Sequence, residues 1–566
     1  MEQDPSQWDT KGHPALPHPV RDRCWLIQNA RHGGGNPTSA SNFVVRRTAA
    51  IGDALAATVV ADKLIERGIP VVFQSHPNCH CVLRRHPSLS GISEPNGFCH
   101  INLDGAYERD AGRRNKTFAQ MFLERANEQL SNLGMNLGPP RNCKPRIYVQ
   151  PGEGKLVYET FTKYPKPWVF ICPRSNTYNV RQVADGTWAQ AAPKIVGTKF
   201  WLGTHPAPPG IVDLHAQHFD HVILWLSVAD LLVSVDTGPM HVAAALGVPV
   251  LAINQSSSPH LHLNDQNDFL EISPPGLACL NCQVNLCPIN QVFPPCQSVP
   301  SELIATWANA RLKGLSRDGI SVVIPIARPP AERLNRCLAA VIQQVDEIVV
   351  TCDQNGKVPD GATRDPKIRY VQHRERDIGY GRNVNFGARH TLNNWLWLLN
   401  DDVYVAGDCA AKLLECAKPG VGLIGHLLRY PDGRIQHGGK FRTPGMRGWG
   451  HVSQGMLDND IREVMEMENV TGASILVNRQ AFYEINGNDE DFFFYAVDDD
   501  MCLSLRHRGY KIMFTPHATA VHEEAASSRH DGRIFDWVRQ GNAAFDRKWR
   551  WWIDQNINTV PGKCNV

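Results

Sequence analysis

Residues 395–402 read WLWLLNDD, an apolar run that stops on Asp401 and Asp402. A short run of large apolar side chains predicts a buried strand. Acids at its far end would lie where open α/β sheets bind ligands, at the carboxyl ends of the strands. Such carboxylates suit a divalent cation that in turn holds a diphosphate. The competing reading is a strand leaving the core through a polar turn. A second set of residues lies in ADLLVSVDTGPMHVAAALGVPV, residues 229–250. A strand over 231–235 ends at Asp236, Thr237 and Gly238, and a helix then opens near Pro239, a residue suited to the first helical turn. Hydroxyl, glycine and helix amides together suit phosphate oxygens. His241 falls in that helix's first turn, where it either touches the ligand or packs. In RRTAAIGDALAAT, residues 46–58, a Gly52–Asp53 turn precedes a helix, so Asp53 either faces a cleft or caps the helix. Cys279, Cys282, Cys287 and Cys296 begin with a C-x2-C pair suited to tetrahedral Zn2+. The later spacing leaves a disulfide pair or free thiols open. Four thiolates would leave no position for catalysis.

These groups need elements to hold them. The 566 residues suffice for three to four domains at ~150 residues each. With 42% hydrophobic and 20% charged residues, the composition is that of a globular protein. Residues 1–40, rich in Pro, Gly, Asn and Ser, read as a flexible tail. Strands at 43–45 and 71–74 flank a helix over 54–67, the start of a βαβ pattern. The pattern weakens around 150–168 and resumes at 168–171, predicting lobes at 41–160 and 161–315. After a Gly-bounded break at 314–319, a strand at 320–324, a helix at 333–343 and a strand at 347–351 open a third α/β unit over 318–566.

The stretch 41–312 resembles the family 9 glycosyltransferases, the heptosyltransferase-like group with the two-lobed GT-B fold. The resemblance rests on IGDALAAT and DTGPMHVAAALGVP. It implies Asp53 as the catalytic base and Asp236, Thr237, Gly238 and His241 along the donor's diphosphate. Pro239 departs from the family's usual Leu, and Cys172 stands where a Gly or Ser turn is usual.

From residue 320 to about 552 the chain resembles the inverting family 2 glycosyltransferases of GT-A fold, with a mixed sheet. VVIPIARP, EIVVTCDQNG, GYGRNVNFGARH, WLWLLNDDV, VTGASILVNRQAFYEING, NDEDFFFYAVDDDMCLSLRHRGYKI and FTPHATAVHEEAASS carry it. The resemblance implies that Asp353, Arg382 and Asp401 bind the donor. It makes Asp402 and His522 ligands of Mn2+ or Mg2+, and Asp498 the base on the acceptor hydroxyl. Asn400 and Val497 replace acids of the family pattern. Bland readings stand beside these: a turn aspartate for Asp353, a surface arginine for Arg382 and an acidic helix start for 498–500.

The implied function is a bifunctional transferase that moves sugars from nucleotide-sugar donors to a glycan or lipid-linked glycan acceptor, in bacterial surface polysaccharide or lipopolysaccharide assembly. One active module with the other as acceptor-binding scaffold is an alternative, as is a virus-type glycosyltransferase acting on modified DNA bases. A net charge of +2 gives no strong nucleic-acid signal. The acidic N-terminus is not that of a signal peptide, and no apolar run approaches 18 residues. These features predict a cytoplasmic protein. FDRKWRWWI, residues 545–553, either rests on the inner face of a membrane or packs its Trp face on the domain.

Overall fold

The computed structural model describes residues 42–109, 116–175, 180–215, 217–277, 279–283, 286–315, 319–442, 448–523 and 533–556. The expected tail over 1–40 lies outside them. The chain divides into two compact units, Met1–Leu312 and Lys313–Val566. Among the described residues, no helix is long and apolar enough to cross a membrane.

The first unit holds two parallel sheets. The smaller runs Gly91–Ser93, Val71–Gln74, Phe43–Arg46, Ile101–Asn102. The larger runs Phe269–Ile272, Val250–Ile253, Leu231–Ser234, Trp168–Cys172, Thr198–Trp201, Val212–Asp213. Parallel pairing requires crossover connections; helices make most of them, while a loop joins Thr198–Trp201 to Val212–Asp213. Trp168–Cys172 and Leu231–Ser234 are buried throughout, which explains their unbroken apolar runs. One apolar core joins the helix Ile51–Ile65 to residues of both sheets. That helix begins at Ile51, so Gly52 and Asp53 belong to its first turn rather than to a turn before it. Ala50 supplies no capping side chain, so no side-chain signal marked the boundary. Gly52 is there for space: a Cβ would lie 2.6 Å from His241 Cδ2.

The second unit is built on a mixed sheet. Its order is Ile368–Gln372, Glu347–Cys352, Ile320–Pro325, Trp395–Leu399, Ser474–Asn478, Val421–Arg429, Lys511–His522, Val403–Val405. The first four strands are parallel, and Ser474–Asn478 runs against them. Ile435–His437 and Met465–Met467 add to the central strands, and Lys440–Arg442 forms a hairpin with Trp449–His451. Apolar cores cover both faces of the sheet. The helix Gly379–Arg389 lies close on it because Gly387 has no side chain; a Cβ there would lie 2.5 Å from Val323 Cγ1.

Candidate active sites

In the first unit, acids from two helix starts share a buried charge cluster. Asp236 follows the strand Leu231–Ser234 and is 4% exposed. His241 Nε2 stands 3.3 Å from its Oδ1. His262 Nε2 and Arg181 Nη1 stand 3.1 and 2.8 Å from its Oδ2. Burial pushes the Asp236 carboxyl up, but His262, His241 and Arg181 outweigh it and hold it well below the ordinary range. Burial likewise keeps His241 below its usual value. Asp53 feels the same cluster. Burial raises its pKa, against the pull of Arg47, His262 and His241. Arg47 is fully buried between Tyr107 and Phe122, 4.9 Å from each ring, and reaches Asp53 at 3.6 Å. Thr237 precedes the helix Gly238–Ala245 without capping it; its hydroxyl lies 3.4 Å from Cys172 Sγ and 3.3 Å from Ser234 Oγ. At Gly238 a Cβ would crowd Phe219 at 3.3 Å.

The second unit brings two acids together at a strand end. Val403 pairs with His522 across antiparallel strands, so Asp402 sits one residue before that pair. Its Oδ1 is 3.2 Å from His522 Nε2. His522 Nδ1 lies 2.8 Å from Gln436 Oε1 and donates to that oxygen, which fixes the ring with Nε2 facing Asp402. Asn400 Oδ1 is buried and has no hydrogen-bond partner among the described residues. A carboxylate and an imidazole nitrogen 3.2 Å apart, with a buried amide oxygen two residues before the acid in sequence, are ligand types that suit a divalent cation, so these residues fit one. Asp401 turns to Arg333, whose Nη2 is 2.8 Å from Oδ2. Burial, with Asp402 adding to it, raises its pKa to about 6 in spite of Arg333.

Asp498 opens the helix Val497–His507. Its Oδ2 accepts from the Gly472 amide at 2.9 Å and from Lys440 Nζ at 3.3 Å. Burial raises the Tyr380 phenol, and Asp498 and Asp402 both add to that rise. Two sequence-predicted donor contacts are engaged elsewhere. Asp353 Oδ1 accepts from the amides of Asn355 and Gly356, each at 2.8 Å, the use of a turn aspartate. Arg382 forms a two-point pair with Glu375 at 2.8 and 2.6 Å.

Residues 216–291 match the model of glycosyltransferase family 9 (heptosyltransferase), and residues 321–459 match that of glycosyl transferase family 2. This one chain joins a family 9 module to a family 2 module. An uncharacterized protein, y4gI, of Sinorhizobium fredii is 33% identical over 175 residues, 30% of this chain and 19% of that protein. N-acetylglucosaminyl-diphospho-decaprenol L-rhamnosyltransferase of Mycobacterium tuberculosis is 26% identical over 239 residues, 37% of this chain and 78% of that enzyme. The chain thus spans about a fifth of the first relative's length. E. coli ADP-heptose lps heptosyltransferase II superposes with a TM-score of 0.35 at 14% identity, over 49% of this chain and 100% of that one.

The family 9 match includes Asp236, Thr237, Gly238 and His241 and leaves out Asp53. The family 2 match includes Asp353, Arg382, Asp401 and Asp402 and leaves out Asp498 and His522. In the family 9 module, Asp236, His241 and His262 have ligand atoms within 4.8 Å of one another, the spacing of a cation site; Arg181 already puts a positive charge on that carboxylate. Cys279, Cys282, Cys287 and Cys296 gather in one segment. Burial, then the other three cysteines, raise the Cys296 thiol to about 11. All four are free thiols. Backbone hydrogen bonds from Asn281 to Gln255 and from Gln283 to Ser256 tie this segment to the loop after Val250–Ile253.

In the family 2 module the basic-aromatic segment belongs to the helix Ile534–Asn556, which packs on the domain. Trp549 donates to Asp500 Oδ1 at 2.7 Å, Lys548 reaches the same oxygen at 2.7 Å, and Trp552 lies under Arg442. Sequence reasoning missed Arg181, His262, Arg333, Gln436 and Lys440. Each stands alone in its local sequence and reaches its site through tertiary folding.

Proposed function

We propose that the chain is a bifunctional glycosyltransferase acting in surface polysaccharide assembly, with Asp53 and Asp498 as the bases of its two modules. The observation that carries this is the same in both: one partly exposed carboxylate faces a cluster of residues suited to a donor's diphosphate or its cation. Asp53 is 12% exposed and Asp498 23%. The name of the M. tuberculosis N-acetylglucosaminyl-diphospho-decaprenol L-rhamnosyltransferase supports a lipid-linked glycan acceptor, and the O-antigen biosynthesis protein RfbC of Myxococcus xanthus supports a place in surface polysaccharide assembly.

In the family 2 module, Asp498 takes the proton of an acceptor hydroxyl as its oxygen attacks the anomeric carbon. The bond to the nucleoside diphosphate breaks on the opposite face, so the configuration inverts. Asp402, His522 and Asn400 would hold Mn2+ or Mg2+, which when bound offsets charge on the leaving diphosphate. Arg333 fixes Asp401 beside that site. In the family 9 module, Asp53 does the same proton work. Its raised pKa strengthens it as a base. The phosphates meet the amides that open Gly238–Ala245. Asp236 anchors His241, His262 and Arg181 rather than touching phosphate, since a buried carboxylate repels it. The cysteine segment, with or without Zn2+, braces the loop beneath that pocket.

A one-module reading is favoured by Arg382 closing on Glu375 and by Asp353 serving its own turn. The test assays the full chain against UDP-, dTDP-, GDP- and ADP-sugars. Asp53→Asn and Asp498→Asn are each expected to remove one transfer by about 10²–10⁴-fold and to spare the other. Loss of a single activity by one variant, with no effect of the other, supports one active module. No loss in either variant sinks the proposal.

A further inference from the structure

We propose that Lys440 is a positioning residue for the family 2 module: it separates the duties of two adjacent carboxylates, leaving Asp498 ionised with one oxygen open to the acceptor. This rests on Asp498 being the base. Asp498 and Asp499 are neighbours in the first turn of a helix, and like charges this close disfavour ionisation of both. Lys440 Nζ lies between them, 3.3 Å from Asp498 Oδ2 and 3.0 Å from Asp499 Oδ1.

The surroundings fix that bridge. Lys440 is buried and forms an antiparallel bridge to Asn469. Asn469 Nδ2 donates to Asp499 Oδ1 at 2.7 Å. The Gly472 amide donates to Asp498 Oδ2, and a Cβ on Gly472 would lie 2.9 Å from Asp498 Cβ. The contacts from the Gly472 amide and from Lys440 thus both fall on Oδ2, and Oδ1 is the oxygen proposed to take the proton. The other groups bearing on Asp498 carry no positive charge. Tyr380 and Cys502 are kept protonated and neutral by burial, and His437, beside Lys440, is kept neutral by burial and by His451. Asp500 is committed elsewhere, to Lys548 and Trp549. Lys440 is thus the cation among the described residues that this acid pair meets. Burial raises Asp498, yet Lys440 and the Gly472 amide hold it below its ordinary value, while Asp499 is raised. The arrangement gives up basicity and gains a base that is ionised throughout the neutral range.

The test follows the Asp498 carboxyl by NMR in full-length protein labelled with 13C at the Asp side-chain carbon. The signal is assigned by its loss in Asp498→Asn. Lys440→Met is expected to raise the Asp498 midpoint by about 1–3 pH units, and Lys440→Arg to return it toward the parent value. A midpoint unmoved in Lys440→Met overturns the proposal. If Lys440→Met alone does not fold, Lys440→Met with Asp499→Asn removes the cation together with one of its acids. An Asp498 midpoint in that protein equal to the midpoint in Asp499→Asn alone likewise overturns it. Where dTDP-rhamnose or a UDP-sugar is turned over, the acid limb of kcat moves with the NMR midpoint while the donor KM stays put. This titration needs no substrate, so it separates the two ideas. If Asp498→Asn spares every transfer, the base role fails although the Lys440 midpoint shift still stands.

Discussion

Asp53 and its neighbour Gly52 do different work from adjacent positions. Burial raises the Asp53 carboxyl while Arg47 and two histidines pull it down, so it stays a base with a pKa above the ordinary 3.8. The activity it supports should therefore fall on acidification at a higher pH than an exposed aspartate would give, and that limb should vanish in Asp53→Asn. A pH profile of family 9 transfer checks this. Gly52 has no side chain because His241 fills the space 2.6 Å from where a Cβ would stand. Gly52→Ala is expected to cost about 1–3 kcal/mol in urea unfolding, or to displace His241 and lower transfer. Wild-type stability and transfer in that variant would show that His241 moves aside freely. Asp53, Asp236, His241, Asp402 and His522 could be singled out as candidates because each sits in a motif at a strand or helix end. Arg181, His262, Arg333 and Lys440 could not, since a lone charged residue has no pattern until the fold supplies its partner.

The strand Val421–Arg429 runs through the middle of the mixed sheet and carries His426, which is 1% exposed. Burial lowers its pKa to about 4, and its Nε2 is 2.7 Å from Ser474 Oγ on the neighbouring strand. The folded protein thus keeps this ring neutral at a pH where the unfolded chain, with an ordinary 6.5, binds a proton. Stability is therefore full above about 6.5 and is lost as pH falls toward 4, by about 3 kcal/mol for this one residue. His437, held low for the same reason, adds in the same direction. Urea unfolding at pH 7, 5.5 and 4.5 should show the loss, and His426→Gln should flatten it. An equal slope in that variant would mean that other groups set the acid sensitivity. The strands at 320–324, 347–351 and 395–399 read as apolar runs, whereas Val421–Arg429 was not picked out. The strand order was not legible, because the antiparallel insertion of Ser474–Asn478 depends on pairing between segments some eighty residues apart. The start of the helix Ile51–Ile65 was also missed, because no side chain caps it and its glycine looked like a turn.

At the scale of the molecule, two units with separate cores carry separate acid sites, and they differ in what they ask of a metal. The family 2 module offers Asp402, His522 and the buried Asn400 oxygen, with Gln436 orienting the imidazole. The family 9 module has a similar spacing in Asp236, His241 and His262, but Arg181 already sits on the carboxylate, and His262 Nδ1 is buried without a hydrogen-bond partner among the described residues. A ligating histidine normally donates its other nitrogen to an acceptor, so His522 meets that requirement and His262 does not. EDTA is therefore expected to abolish the Asp498-dependent transfer and spare the Asp53-dependent one, with Mn2+ restoring the first. Gln436→Leu keeps every ligand yet releases the imidazole. It should raise the Mn2+ concentration for half-activity by about 10–100-fold. Survival of the Asp498-dependent transfer in EDTA would remove the cation from that module. Loss of both transfers would instead mean that the Asp236 cluster holds an ion despite Arg181, and the two modules would then share a requirement that their charge balance argues against.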